Sequence, residues 1–219
     1  MEGLLELKRR HFNVLGLGAL LAGTAFAQAP AKAAPLVLVV GDSLSAEYGL
    51  KRGTGWVALL EERLKKEKVQ ARVVNASISG DTTSGGRSRL PALLQQHKPA
   101  VVVLELGGND ALRGLPLSMT RENLAAMAKA SREAGAKVLL LGMEMPPNYG
   151  ARYAREFREV FASVAKSEQT ALVPFFLHGV ADTKDAQALF QADRIHPNED
   201  AQPTMRDNVW PELRKLLPR

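Results

Sequence analysis

Leu36-Val37-Leu38-Val39-Val40 is an unbroken apolar run that stops at Gly41-Asp42-Ser43-Leu44-Ser45. A strand with one wet face alternates apolar and polar side chains, so a run apolar on both faces needs cover on both. Strands of the same kind are predicted over residues 101–106 and 137–141, with weaker ones over 72–75 and 171–174. Between them apolar residues recur at helical spacing: Trp56, Leu59, Leu60 and Leu64; Leu124, Met127 and Ala128; Tyr153, Phe157, Val160, Phe161 and Val164. Apolar strands alternating with amphipathic helices predict an α/β chain on a parallel sheet. Ser118 and Thr120 stand before the Leu124 helix like caps, and Gly135 stands where that helix should stop. Pro91 marks either the start of a helix or a kink in one. A last helix is expected over about residues 204–217, with Val209, Trp210, Leu213 and Leu216 turned to the sheet.

In open parallel sheets the binding edge lies just past the carboxyl ends of the strands. Ser43 stands there after the first strand, Ser79-Gly80-Asp81 after the second and Gly107-Gly108-Asn109-Asp110 after the third. Glu105, an acid within the third apolar run, is expected to face a polar partner near that edge and is given no catalytic role.

Serine is a weak nucleophile until a base takes its proton and a third group holds the base's tautomer. The chain has four histidines. His11 lies in the leader described below, and His97, beside Lys98-Pro99, reads as a surface residue at a helix end. His178 follows Phe175-Phe176-Leu177 with no acid evident near it, and reads as structural or surface. His196 has Asp193 three residues upstream, in a turn bounded by Pro197. At that spacing the Asp193 carboxylate can accept Nδ1–H of His196 and leave Nε2 for Ser43. Gly80 lets a backbone N–H approach a substrate, and Asn109 offers a side-chain amide, so the two read as oxyanion donors alongside the Ser43 N–H. The serine is not in a G-x-S-x-G elbow, and no phosphate loop or metal-ligand cluster is evident, so neither a cofactor nor a metal is expected.

The full chain has 219 residues, 46% of them hydrophobic, and its mature part suits one domain, 30–219. The net charge of +6 is spread along mixed helix faces such as Glu61-Glu62-Arg63-Leu64-Lys65-Lys66-Glu67-Lys68, without interleaved aromatics, which argues against a nucleic-acid partner. Residues 1–29 read as an export signal: Lys8-Arg9-Arg10, an apolar stretch over 14–26, and small-residue cleavage sites from Ala25 to Ala29. The apolar stretch is shorter than the roughly 20 residues a spanning helix needs, so no stable membrane anchor is expected. Arg9-Arg10 followed by His11-Phe12 resembles a twin-arginine signal, and a general secretory signal fits as well. There is no cysteine, hence no disulfide, thiol nucleophile or lipidated cysteine. An exported protein, periplasmic or secreted, is expected.

Four stretches carry a family resemblance: GDSLSAEYGL, VVNASISGDTTSGGRSRLPALLQQHKPAVVVLELGGNDALRGLPL, PPNYGARY and HPNEDAQP. The chain resembles the SGNH hydrolases, the GDSL lipase/esterase family, over essentially the whole mature region. Its stretches are most like the bacterial periplasmic branch with thioesterase, lysophospholipase and arylesterase activities. The resemblance implies a flavodoxin-like three-layer α/β/α sandwich with a five-stranded parallel sheet. It makes Ser43, Gly80, Asn109 and His196 the signature residues, has Asp193 complete the triad, and gives Asp42 a structural hydrogen-bonding role. The expected substrate is a small-molecule ester or thioester (aryl ester, acyl-CoA or lysophospholipid), with Leu112, Leu115, Met145 and Pro146, beside Met143, lining the acyl pocket. By analogy Gly114 is a hinge of the loop after Asn109. A monomer is expected, the oligomeric state otherwise being open. Two other readings use the same residues: a carbohydrate O-acetyl esterase and a non-catalytic exported binding protein.

Overall fold

A computed structural model describes residues 34–218; the expected signal segment lies outside the described residues. The strands are β1 (Leu36–Gly41), β2 (Arg72–Asn75), β3 (Val101–Glu105), β4 (Lys137–Leu141) and β5 (Ala171–Val173). The helices are α1 (Trp56–Lys66), α2 (Thr83–His97), α3 (Gly108–Leu112), α4 (Leu117–Glu133), α5 (Ala151–Ser167) and α6 (Gln202–Leu216). All neighbouring strands pair in parallel, in the order β2-β1-β3-β4-β5. Helix α1 packs on α6 to form one layer, while α2, α4 and α5 pack successively to form the other. The result is the three-layer α/β/α sandwich with a five-stranded parallel sheet.

Every residue of β1 and of β3 is buried, as their two-faced apolar sequences require. Strand β2 lies at the edge, and its Arg72-Val73-Val74-Asn75 sequence is correspondingly the most polar. Trp56, Val57, Leu60 and Leu64 form the buried stripe of α1, with Val57 in place of the expected Leu59. The Gln202 amide oxygen at the start of α6 accepts the Trp56 N–H at 3.0 Å, so the buried start of one helix caps the other.

Helix α2 continues through Pro91, from Thr83 to His97, so Pro91 does not begin it. Its start lies eight residues earlier, where the Thr82 side chain accepts the Gly85 N–H. Helix α4 begins at Leu117 after Pro116, which corrects the reading of Ser118 and Thr120 as caps. Thr120 is buried within the helix and its hydroxyl reaches the Asp110 carboxylate at 3.5 Å. A buried acid, not the helix end, claims that side chain. Gly135, with φ +85°, follows the end of α4 as expected. Strands β3 and β5 each end one residue earlier than expected, at Glu105 and Val173. No helix among the described residues is long and apolar enough to cross a membrane.

The order β2-β1-β3 fixes where a site can form. Chain progression reverses between β1 and β3, so the loops leaving these strands diverge and open a crevice. Their ends are level, with Gly41 opposite Glu105. A Cβ built on Gly41 would lie 2.7 Å from Glu105 Oε2 and 2.8 Å from Ser45 Oγ. Glycine is required there by a neighbour, not by its own backbone angles. Gly41→Ala is expected to lower the unfolding free energy by about 1–3 kcal/mol, the cost of overpacking a filled interior. Urea denaturation measures it, and a wild-type midpoint would contradict the packing described.

Candidate active site

Ser43 sits in a tight turn at the end of β1, where Asp42 O accepts the N–H groups of Ser45 and Ala46 at 3.2 and 2.9 Å. Its Oγ is 2.9 Å from His196 Nε2. His196 Nδ1 is in turn 2.6 Å from Asp193 Oδ2. The other carboxylate oxygen of Asp193 accepts the backbone N–H groups of Ile195 and His196, each at 3.0 Å. The aspartate therefore folds its own turn and orients the ring of the histidine three residues on. Backbone hydrogen bonds from His196 and Ile195, then the His196 ring, hold the Asp193 carboxyl down at about 2. The turn needs one left-handed residue, Arg194 with φ +59°.

Two residues outside the sequence-predicted set hold this turn against the serine loop. Gln191 Nε2 donates to Tyr48 O at 2.8 Å, and Gln191 N donates to His196 O at 2.7 Å. The Tyr48 ring lies against the imidazole, centroids 4.4 Å apart. Phe190 bridges Pro197 in antiparallel fashion and closes the loop. Tyr48 lies in the GDSLSAEYGL stretch but shows no sign there of a ring contact with His196, and Gln191 stands in no pattern at all.

The donor side comes from β2 and β3. Gly80 has φ +78°, a conformation that a side chain would strain, and among the described residues its N–H and that of Ser43 have no hydrogen-bond partner. Asn109 lies in the first turn of α3, a short helix where only a loop was expected. Its Nδ2 donates to Asp42 Oδ2 at 2.9 Å and to Asp81 O at 3.0 Å. The next residue, Asp110, is fully buried and accepts the Thr83 N–H at 2.8 Å and the Thr83 hydroxyl at 2.5 Å. Asp110 thus ties the Asn109 helix to the start of α2. Arg113 donates to Gly80 O at 2.8 Å and spans the two donor loops.

Of the expected pocket residues, Leu112 is 44% exposed, Pro146 is exposed and Leu115 half-buried, while Met143 and Met145 are buried. The Met143 methyl group lies beside Gly108, next to Asn109. His97 ends α2, away from these loops in the chain. His178 has an acid partner after all, which corrects the sequence reading: Asp182 Oδ2 is 2.7 Å from its Nδ1. The pair is exposed on the surface and has no serine partner, so His178 is a surface residue as expected. Asp182 stands four residues downstream, whereas the sequence pattern drew attention upstream. Among the described residues no three His, Asp or Glu side chains converge as a metal site.

A serine, a neutralisable base, an acid on the far ring nitrogen, and amide donors at adjacent strand ends can together attack a carbonyl and stabilise the resulting oxyanion. The known proteins that resemble this chain agree with that chemistry. The pattern of the GDSL-like Lipase/Acylhydrolase family matches residues 39–202. The chain is 58% identical over 185 residues to Esterase TesA of Pseudomonas aeruginosa, covering 84% of this chain and 90% of that protein. It is 42% identical over 187 residues to thioesterase 1/protease 1/lysophospholipase L1 of Escherichia coli K12, covering 85% and 87% respectively. A crystal structure of TesA superposes with a TM-score of 0.80 at 57% identity, over 83% of this chain and 99% of that one. The chain belongs to the GDSL-like lipase/acylhydrolase family and is an ester hydrolase.

Because the Asp193 carboxyl is held below its ordinary value, its share of stability is present above about pH 4 and is lost as pH falls toward 2. Asp193 is therefore ionised at neutral pH, and its carboxylate can accept Nδ1–H of His196. Asp193→Asn is expected to lower kcat by about 10⁴-fold, as when the orienting acid of a serine triad is amidated, with little change in KM. Steady-state kinetics on a soluble p-nitrophenyl ester checks this; a loss confined to KM would contradict it.

Proposed function

We propose that the protein is an exported serine hydrolase that cleaves carboxylic esters and thioesters through an acyl-enzyme on Ser43. The observation that carries this reading is the unbroken hydrogen-bond chain Ser43 Oγ–His196 Nε2 and His196 Nδ1–Asp193 Oδ2, at 2.9 and 2.6 Å. As Oγ attacks the carbonyl carbon, His196 Nε2 takes its proton and Asp193 stabilises the imidazolium. The negative oxygen of the tetrahedral adduct is met by the N–H groups of Ser43 and Gly80. The Asn109 N–H that rests on Asp81 O exchanges that acceptor for the oxyanion, while its other N–H stays on Asp42. The adduct collapses, and the imidazolium protonates the leaving alcohol, phenol or thiol. A water molecule, deprotonated by His196, then attacks the acyl ester; the acid leaves and Ser43 recovers its proton.

Leu112 and Pro146 are exposed, Leu115 is half-buried, and Met143, whose methyl group lies beside Gly108, and Met145 are buried; these apolar side chains suit an acyl chain or an aryl group. A sugar site needs more polar and aromatic lining. The relatives named as an esterase and as a thioesterase and lysophospholipase support esters, thioesters and lysophospholipids as the substrate class, with aryl esters and acyl-CoA as its proposed members. Export to the periplasm or beyond rests on residues 1–29, with their basic start, apolar stretch and small-residue cleavage sites.

Purified mature enzyme is expected to hydrolyse p-nitrophenyl octanoate, acyl-CoA and lysophospholipid, and to act poorly on acetylated xylan. Ser43→Ala is expected to abolish all of these activities with an unchanged far-ultraviolet circular dichroism spectrum. A folded Ser43→Ala protein that still turns over any of them contradicts the nucleophile assignment. A preference for the xylan would replace the substrate class.

A further inference from the structure

Glu105, the last residue of β3, is fully buried, and the hydrolytic scheme gives it no task. Its Oε2 accepts the Ser45 hydroxyl at 2.7 Å and the Asp42 N–H at 3.2 Å. Ser45 Oγ in turn accepts Trp56 Nε1–H at 3.1 Å, so this oxygen is held by a chain of donors running into the core. Oε1 is buried with no hydrogen-bond partner. Asp42, also buried, follows Gly41, the residue opposite Glu105 in the sheet, and its N–H is the one that Oε2 accepts. Asp42 Oδ1 accepts the Leu44 N–H at 3.0 Å, and Oδ2 accepts the Asn109 amide at 2.9 Å.

Two adjacent buried acids that both carry a negative charge are prohibitive, and a buried carboxylate oxygen that meets no donor calls for a proton of its own. No lysine or arginine among the described residues forms an ion pair with either acid. The charged groups that face them are the imidazole of His196 and the carboxylate of Asp81, with the Arg89 guanidinium 3.4 Å from Gly41 O. Burial raises Glu105 well above the ordinary carboxyl range, and the charge of Asp42 adds to the shift. Burial also pushes Asp42 up, to about 6, against the pull of Leu44 N–H, Asn109 and His196. Glu105 is the more enclosed of the two, and its Oε1 is the oxygen no donor satisfies.

We infer that Glu105 is a positioning residue: it holds a proton on Oε1 and donates it to Asp42, whose single charge fixes the Asn109 amide in place for the oxyanion. The inference rests on the oxyanion role proposed for Asn109 and adds the group that sets its orientation. The proton serves two ends. It removes one charge from behind the serine, and it locks the Asp42 carboxylate so that Oδ2 stays aimed at Asn109 Nδ2.

The test compares Glu105→Gln, Glu105→Leu, Asn109→Ala and the Glu105→Leu/Asn109→Ala double variant in the mature enzyme. Kinetics are measured on one soluble p-nitrophenyl ester, with infrared spectra at neutral pH. Wild type is expected to show the carbonyl stretch of a protonated carboxylic acid, and Glu105→Gln to lack it. Glutamine still offers a donor to Asp42 and an acceptor to Ser45, so kcat should stay within a few-fold of wild type. Asn109→Ala and Glu105→Leu should each lower kcat by about 10²–10³ with little change in KM, the loss typical of one missing oxyanion donor. The double variant should lose no more than the worse single one, because both act through one amide. Absence of the protonated-acid band in wild type overturns the inference, as does a Gln variant as poor as the Leu variant, or additive losses. An Asn109→Ala enzyme with wild-type kcat would instead remove the oxyanion assignment on which the positioning role depends, while the infrared band still reports the shared proton by itself.

Discussion

The contact between the ends of β1 and β3 governs the rest of the molecule. Gly41 lies opposite Glu105, and the absence of a side chain lets the carboxyl group of one strand reach the turn that leaves the other. From β1 the chain turns at once into Asp42-Ser43; from β3 it turns into Gly107-Gly108-Asn109. Parallel strands in the order β2-β1-β3 leave those two loops facing each other across a crevice. The Ser43 and Asn109 loops meet there because two strands are in register, although 66 positions in the chain separate the two residues.

Polar burial then makes the edge rigid. A buried donor or acceptor left without a partner costs about 1–3 kcal/mol, so each satisfied link holds its loop by a comparable amount. Asp110 binds both the N–H and the hydroxyl of Thr83, and the Asn123 amide donates to the same hydroxyl at 3.1 Å. Helices α2, α3 and α4 are joined at their site-facing ends by this cluster. Asp81 adds an ion pair with Arg89 at 2.8 Å, and Arg89 also binds Ala76 O. By contrast, the Asp193–His196 turn is tied down by its own backbone and by Gln191 and Tyr48. The Asn109 side of the site is built into the core, while the Asp193–His196 side is a surface turn clamped onto it.

What could be read from the chain followed from local rules. Two-faced apolar runs gave the central strands, and helical spacing gave the buried faces of α1, α4 and α5. Asp193 and His196 were legible because a three-residue spacing lets one carboxylate serve both the turn and the ring. Long-range choices were not legible. Thr120 looks like a cap until Asp110, ten residues away, is brought beside it by the short α3 helix. Pro91 looks like a boundary because its ring favours a helix start, yet the capping hydroxyl of Thr82 sets the start a full two turns earlier. Asp182 reaches His178 only because the turn after Leu177 folds it back over four residues. The partner of Glu105 required strand register, which no local pattern encodes.

The central claim is that Ser43, made nucleophilic by His196, forms the covalent bond to the acyl group. The most direct measurement is the intact mass of the mature protein after reaction with a fluorophosphonate, followed by tandem mass spectrometry of its peptides. The account expects one adduct per chain, on Ser43, formed far more slowly in His196→Gln. An adduct on another residue, or labelling at an undiminished rate without the His196 imidazole, would contradict it.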